Sequence, residues 1–114
     1  MATIQGNLVE NADGYTATAS WLNVTEADSG SAINMSNDPD RTVQVVGDFT
    51  TGGEITMQGS NDGTEWASLH DPQGNAIVLS DASVKLIAEN TVYIRPTATA
   101  GTAVAMDVIV QGVR

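Results

Sequence analysis

The sequence predicts an all-β protein, an antiparallel β-sandwich or jelly-roll-like single domain with a less regular N-terminal segment. Three observations support this fold class. Short segments of alternating apolar and polar residues recur roughly every 8 to 12 residues. Clusters of Gly, Asn, Asp and Pro separate these segments, as expected for turns. No stretch of the chain shows a convincing helical spacing of apolar residues.

Residues 1 to 40 form the less regular part, and we predict an N-terminal arm here with one or two short strands. Ile4 and Leu8 are separated by polar residues and indicate a short strand, and Asn11 to Gly14 has the composition of a turn. Tyr15 to Val24 is rich in β-branched and aromatic residues, which favours a strand over a helix. Residues 25 to 40 are small and polar and indicate a surface excursion.

The β-sandwich body is predicted to cover residues 41 to 114. From Arg41 the alternation is regular, with Val43, Val45 and Phe49 on one face, and Thr50 to Gly53 then has the composition of a turn.

Glu54 to Leu69 predicts a β-hairpin. Its turn is Ser60-Asn61-Asp62-Gly63, in which glycine can adopt a positive φ and Asn or Asp can bond the local backbone. The pattern places Trp66 on the interior face as a core residue, together with Trp21. The alternative for Trp66 is a platform on which a sugar stacks, which requires the ring on the outside and a second exposed aromatic residue.

Four further strands are predicted after a turn at His70 to Asn75. The predicted strands are Ala76 to Ser80, Val84 to Ala88, Thr91 to Thr97 and Thr102 to Gln111, with a turn at Ala100-Gly101 before the last.

Pro96, in the third of these strands, lacks a backbone N–H, which predicts a position at a sheet edge or a strand end.

The composition limits the class of partner. The chain of 114 residues has 14 acidic and four basic residues, a net charge of −10 and a pI of about 4.1. Such a chain is not expected to bind nucleic acid or an anionic membrane, because few cations can meet phosphates. It has no cysteine, begins without the pattern of a signal peptide and contains no apolar run of membrane-spanning length. These features predict an intracellular site of synthesis.

The chemically reactive side chains do not form a recognisable catalytic or metal-binding motif. His70 is the single histidine and precedes Asp71, but no nucleophile motif accompanies the pair, and a solvated turn residue is the simpler interpretation. Asp38-Pro39-Asp40 and Asn61-Asp62-Gly63 offer oxygen ligands for calcium without the spacing of an EF-hand loop. We therefore predict no enzyme activity, no cofactor and no metal site.

Three segments carry a resemblance to a known family. They are Gly59-Ser60-Asn61-Asp62-Gly63-Thr64-Glu65-Trp66, Asp71-Pro72-Gln73-Gly74-Asn75-Ala76 and Tyr93-Ile94-Arg95-Pro96. The chain from Val43 onward resembles small all-β virion proteins of tailed bacteriophages. Two of the pieces, Ser60 to Trp66 and Tyr93 to Arg95, are also similar, more weakly, to discoidin-type sandwiches. The first resemblance implies a head decoration or cement protein on the capsid exterior, a homotrimer whose partner is the major capsid protein. The alternative is a carbohydrate-binding module of a phage tail or baseplate.

The apolar residues least explained by the sandwich pattern are the candidates for capsid or inter-subunit contact, with core packing as the simpler interpretation of each. These candidates are Ile4, Leu8, Trp21, Leu22, Ile33 and Met35.

Overall fold

In a computed structural model, residues 3–25, 28–47, 53–99 and 106–113 are described. These residues form strands and turns and contain no helix, so the predicted all-β fold is confirmed. The strands in chain order are β1 Thr3–Ile4, β2 Asn7–Glu10, β3 Thr16–Val24, β4 Ser29–Gly30, β5 Ile33–Asn34, β6 Asp40–Gly47, β7 Glu54–Ser60, β8 Ala67–Ser68, β9 Val78–Leu79, β10 Ser83–Ile87, β11 Tyr93–Thr99 and β12 Met106–Val113.

Two sheets form the sandwich. The five-stranded sheet has the order β10-β6-β12-β3-β2, and all of its strand pairs are antiparallel. The seven-stranded sheet has the order β1-β4-β11-β7-β8, with β5 also paired to β11 and β9 also paired to β7. The short β1–β4 pair is parallel.

The core lies between the two sheets because the long strands alternate between buried and more exposed residues. In β12, for example, Met106, Val108 and Val110 are fully buried, while Asp107 and Ile109 point outward. Trp21 is the largest fully buried side chain among the described residues, and its indole Nε1 donates a hydrogen bond to the carbonyl of Ser31 at 2.9 Å. This bond satisfies the one polar group of the ring.

The N-terminal third is more regular than the sequence pattern predicted. Five strands begin before residue 40, and β3 occupies an interior position of the five-stranded sheet between β12 and β2. The predicted strand at Tyr15 to Val24 therefore corresponds to β3, but it is not part of a separate arm. The alternation Ala17, Ala19, Trp21 supplies three fully buried side chains to the interior.

Pro96 does not lie at an edge or a strand end. It lies within β11, opposite Met57 of β7. On its other side β11 pairs with β5 at Tyr93 and Ile94 and with β4 at Thr97. Pro96 thus lies where the second neighbour changes from one short strand to another, a position at which a missing N–H donor is tolerated.

Part of the predicted pattern lies outside the described residues. The parts concerned are Phe49, residues 50 to 52 of the turn predicted at Thr50 to Gly53, the Ala100-Gly101 turn and the beginning of the last predicted strand.

Candidate functional site: two exposed sheet faces

The outer face of the five-stranded sheet presents two rows of aligned residues without a charged side chain. We call these ten residues the neutral face. The pairing registers place them in the rows Asn7–Ser20–Ile109–Gln44–Val84 and Val9–Thr18–Gln111–Thr42–Leu86.

The two edge strands contribute exposed apolar side chains to the neutral face. Val84 and Leu86 of β10 are exposed, as is Val9 of β2 at the opposite edge. The middle of the face is uncharged and polar except for Ile109, and the Thr18 hydroxyl donates to Gln111 Oε1 at 2.7 Å. In a chain with a net charge of −10, this surface is suited to contact with another protein, because charged groups are depleted at the centre of such contacts.

The rim of the neutral face carries one exposed apolar residue and one acidic residue at each end of the strands. Leu22 is 56% exposed on the same face, and Val113 is also exposed there. Asp40 pairs in register with Val113, and Asp107 pairs with Val46. Asp107 Oδ1 accepts the backbone N–H of Asn23, a residue with a positive φ of 59°, at 3.0 Å.

The structure divides the six predicted contact residues into three groups by burial. Trp21, Ile33 and Met35 are buried core residues, because their strands and the following turn direct them between the sheets. Ile4 is half-buried against that core. Leu8 and Leu22 are exposed, and of these Leu22 lies on the side of the neutral face.

Two exposed apolar residues of the neutral face, Val84 and Leu86, were missed as surface candidates. The sequence pattern placed them together on one face of a strand, and the structure confirms that alignment. Alternation alone does not show which face of an edge strand meets the core, so their exposure could not be read from the pattern.

The prediction that Trp66 fills the core is wrong. The register places Gly59 opposite Ala67 and Gln58 opposite Ser68, and the next inward residue is Leu69, which is buried. A Cβ on Gly59 would lie 2.6 Å from Leu69 Cδ2, which shows how closely Leu69 fills this part of the core. Trp66 precedes β8 and lies half-buried on the outer face of the seven-stranded sheet.

Trp66 is covered on one side by a cation. The guanidinium carbon of Arg95 lies 4.1 Å from the centre of the Trp66 ring, which is a cation–π contact. Arg95 Nε donates to Gln58 Oε1 at 2.9 Å, and Tyr93 lies two residues earlier on the same face of β11. We refer to Trp66, Arg95, Gln58 and Tyr93 as the Trp66 cluster.

The loop between β7 and β8 positions Trp66. Asp62 Oδ1 accepts the backbone N–H groups of Thr64 and Glu65 at 2.8 and 2.9 Å, and Ser60 Oγ accepts that of Gly63 at 2.8 Å. Gly63 has a φ of 80°, and a Cβ there would lie 3.6 Å from the ring of Tyr93. The predicted turn chemistry is therefore present, in a connection that extends beyond the predicted turn Ser60 to Gly63, as far as Trp66.

Two charged groups of this region have shifted pKa values. The N–H groups of Glu65 and Thr64, followed by the Ser60 hydroxyl, hold the pKa of Asp62 below its ordinary value. Burial lowers the pKa of Arg95, which nevertheless stays charged as arginine does in proteins. In the described part of the chain, no acidic side chain forms an ion pair with Arg95.

His70 contacts Glu89 rather than its neighbour Asp71. Its Nδ1 lies 2.6 Å from Glu89 Oε2, and its backbone N–H donates to Glu89 Oε1 at 2.7 Å. Burial raises the pKa of Glu89, but hydrogen bonds, chiefly those from His70, outweigh it, so the net pKa is lowered. Within the described residues no hydroxyl is hydrogen-bonded to the imidazole, so the pair joins two chain segments without a nucleophile.

Arg41 is a buried cation that holds the connection between β5 and β6. Its Nε donates to the carbonyl of Asp38 at 2.8 Å and its Nη2 to that of Met35 at 2.6 Å. Burial lowers the pKa of Arg41, and the nearby charge of Asp38 opposes this shift. Nη1 is buried without a hydrogen-bond partner among the described residues. The arrangement is structural, because both donated bonds close local turns.

A shallow groove of about 490 Å³ adjoins the neutral face near Leu86. Its other walls include Pro39, Asp40 and Pro72 and the end of β10 at Ile87.

Among the described residues, no group of three or more His, Cys, Asp or Glu is arranged to hold a metal ion. In the same ranges, no helix is long and apolar enough to cross a membrane.

Comparison with known proteins gives similarity in fold. No family model matches the sequence, and no curated protein is significantly similar to it. The crystal structure of the SPBc2 prophage-derived protein YomS has a TM-score of 0.56 with 14% identity, over 93% of this chain and 100% of that one.

Weaker likenesses include peruvianin-I, a cysteine peptidase from Thevetia peruviana latex, with a TM-score of 0.47 and 12% identity over 95% of this chain and 61% of that one. The Schizosaccharomyces pombe Cnp3 cupin domain has a TM-score of 0.45 and 5% identity, over 96% of this chain and 60% of that one. At these identities the likeness to YomS is one of fold, and the two weaker ones carry no argument about function.

Proposed function

We propose that this chain is a structural protein of a bacteriophage particle that binds the outer surface of the capsid as a decoration or cement protein. The observation that carries the proposal is the neutral face, an uncharged and partly apolar surface on a strongly acidic chain. The phage-like segments of the sequence and the fold shared with a prophage-derived protein support a phage origin. The proposed partner is the major capsid protein.

The size of the neutral face favours several copies acting together. Five strands lie about 4.8 Å apart, and the two rows together span about 14 Å along the strands, which gives a projected area of roughly 330 Å². A stable interface buries about 800 Å² per partner, so one copy is expected to bind weakly. A homotrimer brings three such faces to the shell, and linkage of the three multiplies a modest single-site affinity. Binding to the assembled shell alone then stabilises that shell by mass action.

The test is binding to undecorated heads assembled from the major capsid protein of the same genome. At a limiting concentration of this protein, we expect Val84→Asp to reduce the amount bound to the heads at least tenfold, because the substitution buries an unpaired carboxylate in the contact. Val78→Asp is the matched control, since Val78 is an exposed strand valine on the other sheet, and its binding should stay at the wild-type level. Equal binding by both variants would contradict the assignment of the neutral face.

A second candidate function, a carbohydrate-binding module of a phage tail or baseplate, is favoured by the outward position of Trp66. Glycan binding by the wild-type chain that disappears in Trp66→Ala, without any binding to heads, would make this candidate the preferred one. The two functions use opposite faces of the sandwich and are therefore separable in one set of variants.

A further inference from the structure

The Trp66 cluster combines an aromatic ring with a cation that has no acidic partner among the described residues. We propose that it is a binding site for an acidic saccharide, in which Arg95 holds a sugar carboxylate and the exposed part of Trp66 packs against the apolar C–H groups of the sugar. This inference rests on the second candidate function, which it deepens by naming the ligand class, and it does not depend on capsid binding.

The donors of Arg95 define the acidic part of the ligand. Of its five N–H donors, the one on Nε bonds Gln58, and within the described residues both Nη groups remain available for a forked contact with a carboxylate. Neither ion pair in those ranges involves Arg95, although the chain has 14 acidic residues. An anionic ligand would supply the missing countercharge.

The position of the guanidinium is already fixed before a ligand binds. Gln58 holds Nε at 2.9 Å, and the Trp66 ring supports the guanidinium at 4.1 Å. Such a restrained arginine loses less side-chain entropy on binding than a free one. The loop that carries Trp66 is itself held by the bonds of Ser60 and Asp62.

The surroundings favour a sugar over an acidic peptide. Hydroxyl and amide groups lie next to the cluster on the same sheet. Ser68 is in register with Gln58, Asn34 is in register with Tyr93, and Thr97 follows Arg95 by two residues. Tyr93, half-buried on β11, adds a second aromatic ring with a hydroxyl group. A saccharide presents both hydroxyl groups and an apolar ring face, which match this mixture.

The experiment is an NMR titration of the ¹⁵N-labelled full chain with trigalacturonic acid, with its methyl ester as the uncharged match. The chain has two indole N–H signals, and that of fully buried Trp21 serves as an internal control. We expect the acid to shift the Trp66 signal in a saturable way. We expect Arg95→Gln to weaken this binding at least tenfold, whereas Lys85→Gln, which removes an exposed cation of the other sheet, should leave it within twofold.

Four results would overturn the proposal. Equal affinity for the methyl ester would remove the role of Arg95 in ligand charge, while leaving the carbohydrate-binding function in place. A dissociation constant unchanged by Arg95→Gln would do the same. If neither the acid nor its ester shifts the Trp66 signal, and no glycan on an array is bound, both the saccharide site and the second candidate function are rejected. Tighter binding of an Asp-rich peptide would assign the cluster to a protein ligand.

Discussion

Trp21 and Trp66 carry the same side chain but occupy different environments. Trp21 is fully buried between the sheets and donates its indole N–H to Ser31, whereas Trp66 lies half-buried beneath Arg95. The sequence pattern predicts both as core residues, because an apolar residue next to a strand is indistinguishable from one within it until the register is known. The position of Leu69, three residues later, decides the matter.

This difference predicts unequal costs of truncation. We expect Trp21→Ala to lower the free energy of unfolding by about 3–5 kcal/mol, as for other large buried side chains. Trp66→Ala should cost clearly less, since an exposed cation–π contact contributes about 0.5–1 kcal/mol and the ring is only half-buried. Urea unfolding followed by circular dichroism measures both. Equal losses would place Trp66 in the core after all.

Asp62 makes a pH-dependent contribution to stability. Its pKa is lowered in the folded chain, so its contribution is present above the unfolded value of about 3.9 and is lost as the pH falls through the folded pKa. Asp62→Asn retains an oxygen acceptor but cannot titrate. We therefore expect the variant to lose less stability than the wild type between about pH 5 and pH 2.5.

The matched control for Asp62 is Thr64→Ser in the same exposed loop, which changes no ionisable group. Urea unfolding at several pH values should give Thr64→Ser the wild-type pH dependence. An Asp62→Asn profile parallel to that of the wild type would show that the loop hydrogen bonds do not depend on the carboxylate charge.

At the scale of elements, the approach of β4 to β3 depends on a glycine without a side chain. A Cβ on Gly30 would lie 2.5 Å from Pro96 Cδ and 2.7 Å from Trp21 Cδ1. Both neighbours are stiff and buried, so neither can move away easily. Gly30 thus lets the short strand β4 close over the indole ring.

We expect Gly30→Ala to lower the free energy of unfolding by about 1–3 kcal/mol through overpacking. Ala32→Ser, which also adds one heavy atom but at an exposed position two residues later, should change it by less than about 0.5 kcal/mol. Thermal unfolding of the two variants side by side makes the comparison. A neutral Gly30→Ala would mean that β4 can shift outward without loss of core contacts.

Whether a strand could be predicted from the sequence depends on its length and on whether one of its faces is buried. The long strands β3, β6 and β12 could be found in the sequence because one face is buried over many residues, and the alternation of Val43 and Val45 agrees with the structure. Short strands such as β4 and β5 could not, since two residues carry no period. Their place is fixed by pairing with β11, which lies far away in the sequence.

The candidate sites were less predictable than the strands. The neutral face depends on registers across five strands, and the contact between Arg95 and Trp66 joins residues that lie far apart in the chain. The sequence did point to the Trp66 loop and to Tyr93-Ile94-Arg95-Pro96 as motifs, but it gave no sign that they meet on the outside. Among the predicted contact residues, Leu8 and Leu22 are the two that the structure leaves exposed.

At the scale of the whole molecule, the sandwich separates two surfaces of different character. The neutral face is suited to a protein partner, while the opposite face carries the Trp66 cluster. A copy bound to a shell through the neutral face would direct the Trp66 cluster away from that shell. The proposed capsid role and the proposed saccharide site are therefore compatible in one particle.

A cryo-electron microscopy reconstruction of heads incubated with the full chain tests the central proposal most directly. We expect added density at local threefold positions, with three copies that each turn the β10-β6-β12-β3-β2 sheet toward the shell. Heads without added density, or copies seated through the seven-stranded sheet, would contradict it.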